Sequence, residues 1–233
     1  MWLTKNKLKL LAAAAMAVDH IGVELLPQYP ILRIIGRLAY PIFAYAIFEG
    51  CRYTHDRKKY LAQLLSLGLL CVAGYYVYTG RVFGNVLITF SLSVCVLYGL
   101  RTLEESLRQR EKARPLPFCA ALTVAALVCA AVPVDYGLLG VLLPVWCEAA
   151  AFCGEQLGWT DQPSQKKLSL LGLGAGLLML ALDMGGVQVF SMLALLILAA
   201  SSGRRGTGRL KYFFYVFYPA HLMAIGAVAA LVD

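Results

Sequence analysis

Nine long apolar runs, divided by short connections that carry most of the charge, leave this chain few ways to fold. They fall at roughly 9–27, 31–51, 60–79, 85–102, 116–133, 137–154, 168–184, 187–201 and 211–231. At about 1.5 Å of rise per residue, a helix of about 20 residues crosses a hydrocarbon core of roughly 30 Å. The expected fold is all-α: a polytopic transmembrane helix bundle of about nine spans, built as one domain over residues 1–233. The runs at 168–184 and 187–201 are short and are expected to tilt, to be buried in protein, or to lie beside a thinned bilayer.

The charges orient the bundle. Lys5, Lys7 and Lys9 precede the first run. Arg52, Arg57, Lys58 and Lys59 follow the second, Arg101, Arg108, Arg110, Lys112 and Arg114 the fourth, Lys166 and Lys167 the sixth, and Arg204, Arg205, Arg209 and Lys211 the eighth. Only Arg33 and Arg81 fall in the alternate connections, and Arg37 lies within a run. Basic loops stay cytoplasmic, so the N-terminus is expected in the cytoplasm and the C-terminus outside. The formal net charge of +8 is accounted for by this bias, which excludes a nucleic-acid reading. The expected location is the cytoplasmic membrane.

The seven cysteines form no CxxC and mostly sit in apolar runs, so they read as small packing residues and not as a disulfide or zinc framework. The N-terminus imitates a signal peptide up to Ala15-Met16-Ala17, but the apolar run continues through Ile21 to Leu26, which argues for a retained span. The mixed-charge stretch Arg101 to Pro115 reads as a helical extension of the fourth run, in a cytoplasmic loop. Gly172-Leu173-Gly174-Ala175-Gly176 lies inside the seventh run with no strand before it. It reads as a close helix contact of the GxxxG kind and not as a phosphate loop.

The chemistry is concentrated in few residues. Asp19 and His20 stand side by side in the first run, and a charge at bilayer depth costs roughly 2.5–3.5 kcal/mol on insertion scales, so such a group faces the bundle interior. His20 lies eleven residues past Lys9, about 16 Å along a helix, and His221 lies ten past Lys211, at a similar depth. Imidazole is suited to accept and return protons near neutral pH. Asp19 and His20 point about 100° apart on a helix, so Asp19 is free to pair with an arginine of another span, and Arg37 of the second run offers one. Arg37, Pro41, Ala44 and Phe48 share a helix face, and Pro41 releases a backbone carbonyl near Arg37. Glu49 reads either as a local partner of Arg52 or as a contact to a cofactor. Asn85, Thr89, Asp135 and Gln188 read as caps or interhelical hydrogen bonds. Tyr215, Tyr218 and His221 fall on one broad face of the last run.

These residues lie in stretches that resemble the TraX family: Asp19-His20-Ile21-Gly22, the block from Leu32 through Gly36-Arg37-Leu38-Ala39-Tyr40-Pro41 to Glu49-Gly50, Asn85-Val86-Leu87, Asp135-Tyr136-Gly137, Gln188, Gly203-Arg204-Arg205-Gly206, and Lys211 through Tyr218-Pro219-Ala220-His221. The penultimate loop, Ala200-Ser201-Ser202-Gly203, departs from the Tyr-Asn-Gly of the family pattern. The resemblance implies a membrane acyltransferase, as in acetylation of the F-pilin N-terminus. Acetyl-CoA or another acyl-CoA would be the cytoplasmic donor, and an amine or hydroxyl at the extracytoplasmic face the acceptor, with no metal.

On that basis His20 is the expected general base or acyl carrier, Asp19 orients it, Arg37 holds Asp19 or stabilises charge at the carbonyl, and His221 and Tyr218 complete the centre. Tyr40, Glu49, Asn85, Asp135, Gln188, Arg204 and Tyr218 are the expected substrate or cofactor contacts. The basic rims Arg57-Lys58-Lys59 and Arg204-Arg205 are expected to meet the CoA phosphates. The same buried groups also fit a small proton-coupled transporter or flippase, or a structural membrane protein. Loss of function in His20→Ala separates the enzyme from the last of these.

Overall fold

The structure, a computed structural model, describes residues 3–204 and 211–232, and of Lys211, Tyr212, Tyr215 and Val232 the backbone alone. Among these residues it is all helical: α1 (Lys5–Glu24), α2 (Pro30–Gly36), α3 (Ala39–Tyr53), α4 (Arg57–Thr79), α5 (Val86–Arg108), α6 (Leu116–Ala131), α7 (Gly137–Gln156), α8 (Gln162–Met184), a 3-10 helix (Gly186–Met192), α9 (Leu193–Ala199) and α10 (Lys211–Val232). Five helical stretches are long and apolar enough to cross a membrane: Pro30–Tyr53, Arg57–Thr79, Val86–Arg108, Gly137–Gln156 and Gln162–Met184. In α4 only 11% of the most apolar window is buried. Its exposed Leu69, Leu70, Val77 and Tyr78 form a surface that suits lipid rather than water.

Capping residues set several ends. Asn85 caps α5, its Oδ1 accepting from the amides of Leu87 at 3.0 Å and Ile88 at 3.4 Å, and Asp56 caps α4 through the amide of Lys59. These side chains take up amides that the first helical turn leaves over. Asp161, just before α8, accepts from the Ser164 amide at 3.0 Å, which holds its carboxyl below the ordinary carboxylate range.

The second apolar run is not one helix. It breaks at Arg37–Leu38, between α2 and α3, so Arg37 closes α2 as its C-cap and the expected face shared with Pro41, Ala44 and Phe48 does not run through it. The eighth run is likewise divided. Gly185 and Gly186, both with positive φ, turn the chain out of α8 into the 3-10 helix.

The chain packs as two compact units. The first comprises Met1–Ala46 with Leu177–Asp233, and the second Ile47–Gly176. In the first, α1 turns its buried Leu8, Ala12, Ala15 and Gly22 to one side, a spacing of four and three that also carries Asp19. In the second, α8 closes on α7 through its glycines. A Cβ on Gly172 would collide with the Trp146 carbonyl, and one on Gly176 would meet Leu143 at 2.8 Å. The GxxxG therefore acts as a close packing seam.

Candidate functional site

The polar centre of the first unit is built around Asp19. Arg33 Nη1 donates to Asp19 Oδ2 at 2.8 Å, and Arg37 Nη2 donates to both carboxylate oxygens at 2.8 and 2.7 Å. The two arginines are one turn apart in sequence, so the end of α2 aims both guanidiniums the same way. Gly36 lies between them. Its Cα sits directly against the Asp19 side chain, where a Cβ would overlap Oδ1, Cβ and Cγ. Only glycine allows α2 to come close enough for both arginines to reach one carboxylate. The Asp19 and Arg37 side chains are 15% and 7% exposed, so the pair is largely desolvated. One carboxylate against two guanidiniums leaves this cluster with a net positive charge.

Gln188 extends the cluster. Arg37 Nη1 donates to its Oε1 at 3.2 Å across 151 residues of sequence. The amide Nε2 is buried and has no acceptor among the described residues, and the same holds for the Ser191 hydroxyl. A buried polar group left in this way costs about 1–3 kcal/mol.

The two histidines meet. The rings of His20 and His221 lie 5.1 Å apart, edge to face, and Tyr218 packs against His221 at 5.6 Å. Along α10 the Phe213, Phe217 and His221 rings stack one turn apart, at 5.4 and 4.8 Å. His221 Nδ1 lies 2.8 Å from the Phe217 carbonyl. A carbonyl only accepts, so Nδ1 carries the proton, and the neutral ring presents a bare lone pair at Nε2. That Nε2 is buried without a partner among the described residues. His20 lies within electrostatic reach of Asp19, Arg33 and Arg37. The Asp19 carboxylate accepts hydrogen bonds from Arg33 and Arg37.

The first unit thus gathers Asp19, His20, Arg37, Gln188, Tyr218 and His221. Tyr40 is buried in the first turn of α3, three residues past Arg37. Arg204 is exposed, and its carbonyl accepts from the Lys5 amide at 3.0 Å. Arg205 and Arg209, and the side chains of Lys211, Tyr212 and Tyr215, lie outside the described residues.

The remaining candidates belong to the second unit. Asn85 is a cap that also donates to the Gly68 carbonyl at 2.9 Å. Thr89 donates to the Asp135 carbonyl at 2.8 Å, and the Asp135 amide donates to Gly84. Arg52 pairs with Glu155 at 2.9 Å and Gln165 at 3.4 Å. Glu49 is half-buried near Lys166. Arg57 pairs with Glu105 and lies over the Tyr98 ring.

The sequence reading missed Arg33, which it assigned to an outer connection. The signal was present, since Arg33 and Arg37 are four residues apart around a glycine.

Helices long and apolar enough to cross a membrane, together with the desolvated ionic cluster of the first unit, define a helical membrane protein with a buried polar centre. The chain belongs to the TraX family, whose description, TraX protein, matches residues 4–229. It is 28% identical over 251 residues to the Probable fimbrial assembly protein FimC, serogroup H1, of Dichelobacter nodosus, spanning 93% of this chain and 91% of that one. It is 35% identical over 102 residues to the Uncharacterized protein RP591 of Rickettsia prowazekii (strain Madrid E), spanning 42% of this chain and 38% of that protein. No solved structure matches it.

Proposed function

We propose that this protein is an integral membrane acyltransferase, with the polar centre of the first unit as its reacting site. It would carry an acetyl or other acyl group from cytoplasmic acyl-CoA to an amine or hydroxyl at the extracytoplasmic face. The bundle crosses the cytoplasmic membrane about nine times, N-terminus inside and C-terminus outside, and Arg204 faces the donor's phosphates from the cytoplasmic rim. The observation that carries this reading is the His20–His221 contact beside an aspartate clamped by two arginines, with a free lone pair on His221 Nε2. The relative named for fimbrial assembly supports a pilus-subunit amine as acceptor.

The chemistry follows from these groups. The acceptor nitrogen attacks the thioester carbonyl carbon, forming the C–N bond, and its proton passes to the imidazole pair. The C–S bond breaks, and the CoA thiolate takes that proton back. His221 Nε2 is the group poised to receive it, and His20, edge-on to that ring and near Asp19, shares the charge. The arginine pair fixes the carboxylate so that the positive field does not move during the reaction, which is how preorganised groups lower a barrier.

The test is acetyl-CoA consumption by the purified full chain in liposomes, supplied with peptide amines and followed by CoA thiol release. His20→Ala and His221→Ala are each expected to lose about 10²–10⁴-fold in rate, the usual contribution of a general base, while remaining folded. Wild-type-like turnover in both variants overturns the reading. Counterflow of a solute without CoA release points to a transporter instead.

A further inference from the structure

Along the stretch Gly186–Ala199 one face is buried, Gln188, Ser191, Ala194 and Leu198, while Val189, Phe190, Leu193 and Leu196 are exposed. In a 3-10 helix residues three apart eclipse each other, so Gln188 and Ser191 stand one above the other on the buried side, at 2% and 0% exposure. The face is apolar further on. Two polar side chains stand at its start, and both hold donors without an acceptor among the described residues.

The orientation of the Gln188 amide is fixed. Arginine only donates, so the contact from Arg37 Nη1 at 3.2 Å must be received by the amide oxygen, and the NH₂ group is turned away from the guanidinium. Flipping the amide would set its N–H groups against N–H groups. The donors therefore cannot turn to find their own acceptor. Arg37 is itself locked on Asp19 through two bonds. Donors held rigidly, buried, and next to a cluster of net positive charge suit an oxygen that gains negative charge.

We infer that Gln188 and Ser191 bind the carbonyl oxygen of the transferred acyl group and stabilise it as it becomes an oxyanion. This rests on the acyl-transfer reading and assigns its electrophilic side. As the acceptor nitrogen bonds to the carbonyl carbon, the carbonyl π pair moves onto oxygen, and the Gln188 N–H and Ser191 O–H donate to it. When the C–S bond breaks, the pair returns and the carbonyl is restored. The donors neither gain nor lose a proton.

Gln188→Glu is the discriminating variant. It is isosteric, it keeps an oxygen facing Arg37, and it removes both N–H donors. With the full chain in liposomes and acetyl-CoA as donor, kcat is expected to fall about 10²–10³-fold, the usual loss for one oxyanion donor, with little change in KM. Ser191→Ala is expected to lower kcat by a smaller factor. The second readout is the carbonyl stretch of bound [1-¹³C]acetyl-CoA by isotope-edited infrared spectroscopy. It should move to lower frequency on binding to the wild type, and the shift should be lost in Gln188→Glu. A variant that keeps both the kcat and the carbonyl shift, while its melting temperature falls, overturns the inference and makes Gln188 a strut for Arg37. Wild-type protein that neither shifts the carbonyl nor turns over acetyl-CoA overturns the acyl-transfer reading, and this inference with it.

Discussion

The two units each contain an arginine–carboxylate cluster, that of the second exposed at Arg57, Glu105 and Arg108, and the clusters differ in how many arginines stand against their carboxylates. In the second unit Arg52, Arg57, Arg101 and Arg108 stand among Glu104, Glu105, Glu148 and Glu155. Arg101 donates to Glu148 at 2.7 Å and also to the Cys51 carbonyl, and a cavity of about 260 Å³ opens beside them. Four arginines there face four carboxylates, with an uneven pairing: Glu155 holds both Arg52 and Arg108, and Glu104 stands 3.9 Å from Arg108. The first unit sets one carboxylate against two guanidiniums and surrounds them with neutral rings and amides. A matched lattice ties helix ends together and has little charge left to offer a ligand. An unmatched one holds a field that an incoming electron-rich atom can complete. This is why we propose the reacting site in the first unit, although the larger cluster of charges lies in the second.

The comparison is broken or sharpened by substitution. The largest structural effects should be equal in the two units. Asp19→Ala leaves two guanidiniums uncompensated and Glu148→Ala leaves Arg101 so, and breaking a buried pair from one side costs about 3–5 kcal/mol. Denaturation in detergent should show both losses. A small loss at Glu148 alone would mean that the second lattice is solvated and loosely held.

Gly36→Ala should come next. The added methyl falls on the Asp19 side chain, and overpacking of this kind costs about 1–3 kcal/mol. Activity should fall with it, because α2 must withdraw its arginines. Unchanged stability and activity would show that Asp19 has another place to go.

The smallest effect belongs to Asp161, which is fully exposed. Its carboxyl is held below the ordinary value by the Ser164 amide, so it adds stability above the ordinary carboxylate pKa, and that stability is lost as the pH falls through the lower folded value. The melting temperature of the wild type should drop more than that of Asp161→Asn as the pH is taken below about 4. Parallel curves would remove the capping role.

Much of the helical layout was legible because apolar run length is a local property. The cap at Asn85 was also local. The break at Arg37–Leu38 had a local sign in Pro41, which has no amide to bond the Arg37 carbonyl; the close approach of Gly36 to Asp19, seventeen residues away and on another helix, had none. Asp19, His20, Arg37 and His221 stood out as charged or titratable groups inside apolar runs. Their partners did not, since the Arg37–Gln188 and Arg52–Glu155 bonds span 151 and 103 residues. Arg52 shows the distance involved: its bond to Glu155 joins residues that nothing in the local sequence connects. Arg33 was misplaced because a basic residue near a run boundary reads as a loop charge until the fold turns it inward.

The central claim is that reactivity belongs to the unmatched cluster and its histidines. It is tested most directly by the acetyl-transfer rate per folded molecule of His221→Ala beside that of Glu148→Gln, both in liposomes. The account predicts a fall of about 10²–10⁴-fold for the first and a near wild-type rate for the second. A normal rate for His221→Ala, with loss in Glu148→Gln, would contradict it and move the chemistry to the second unit.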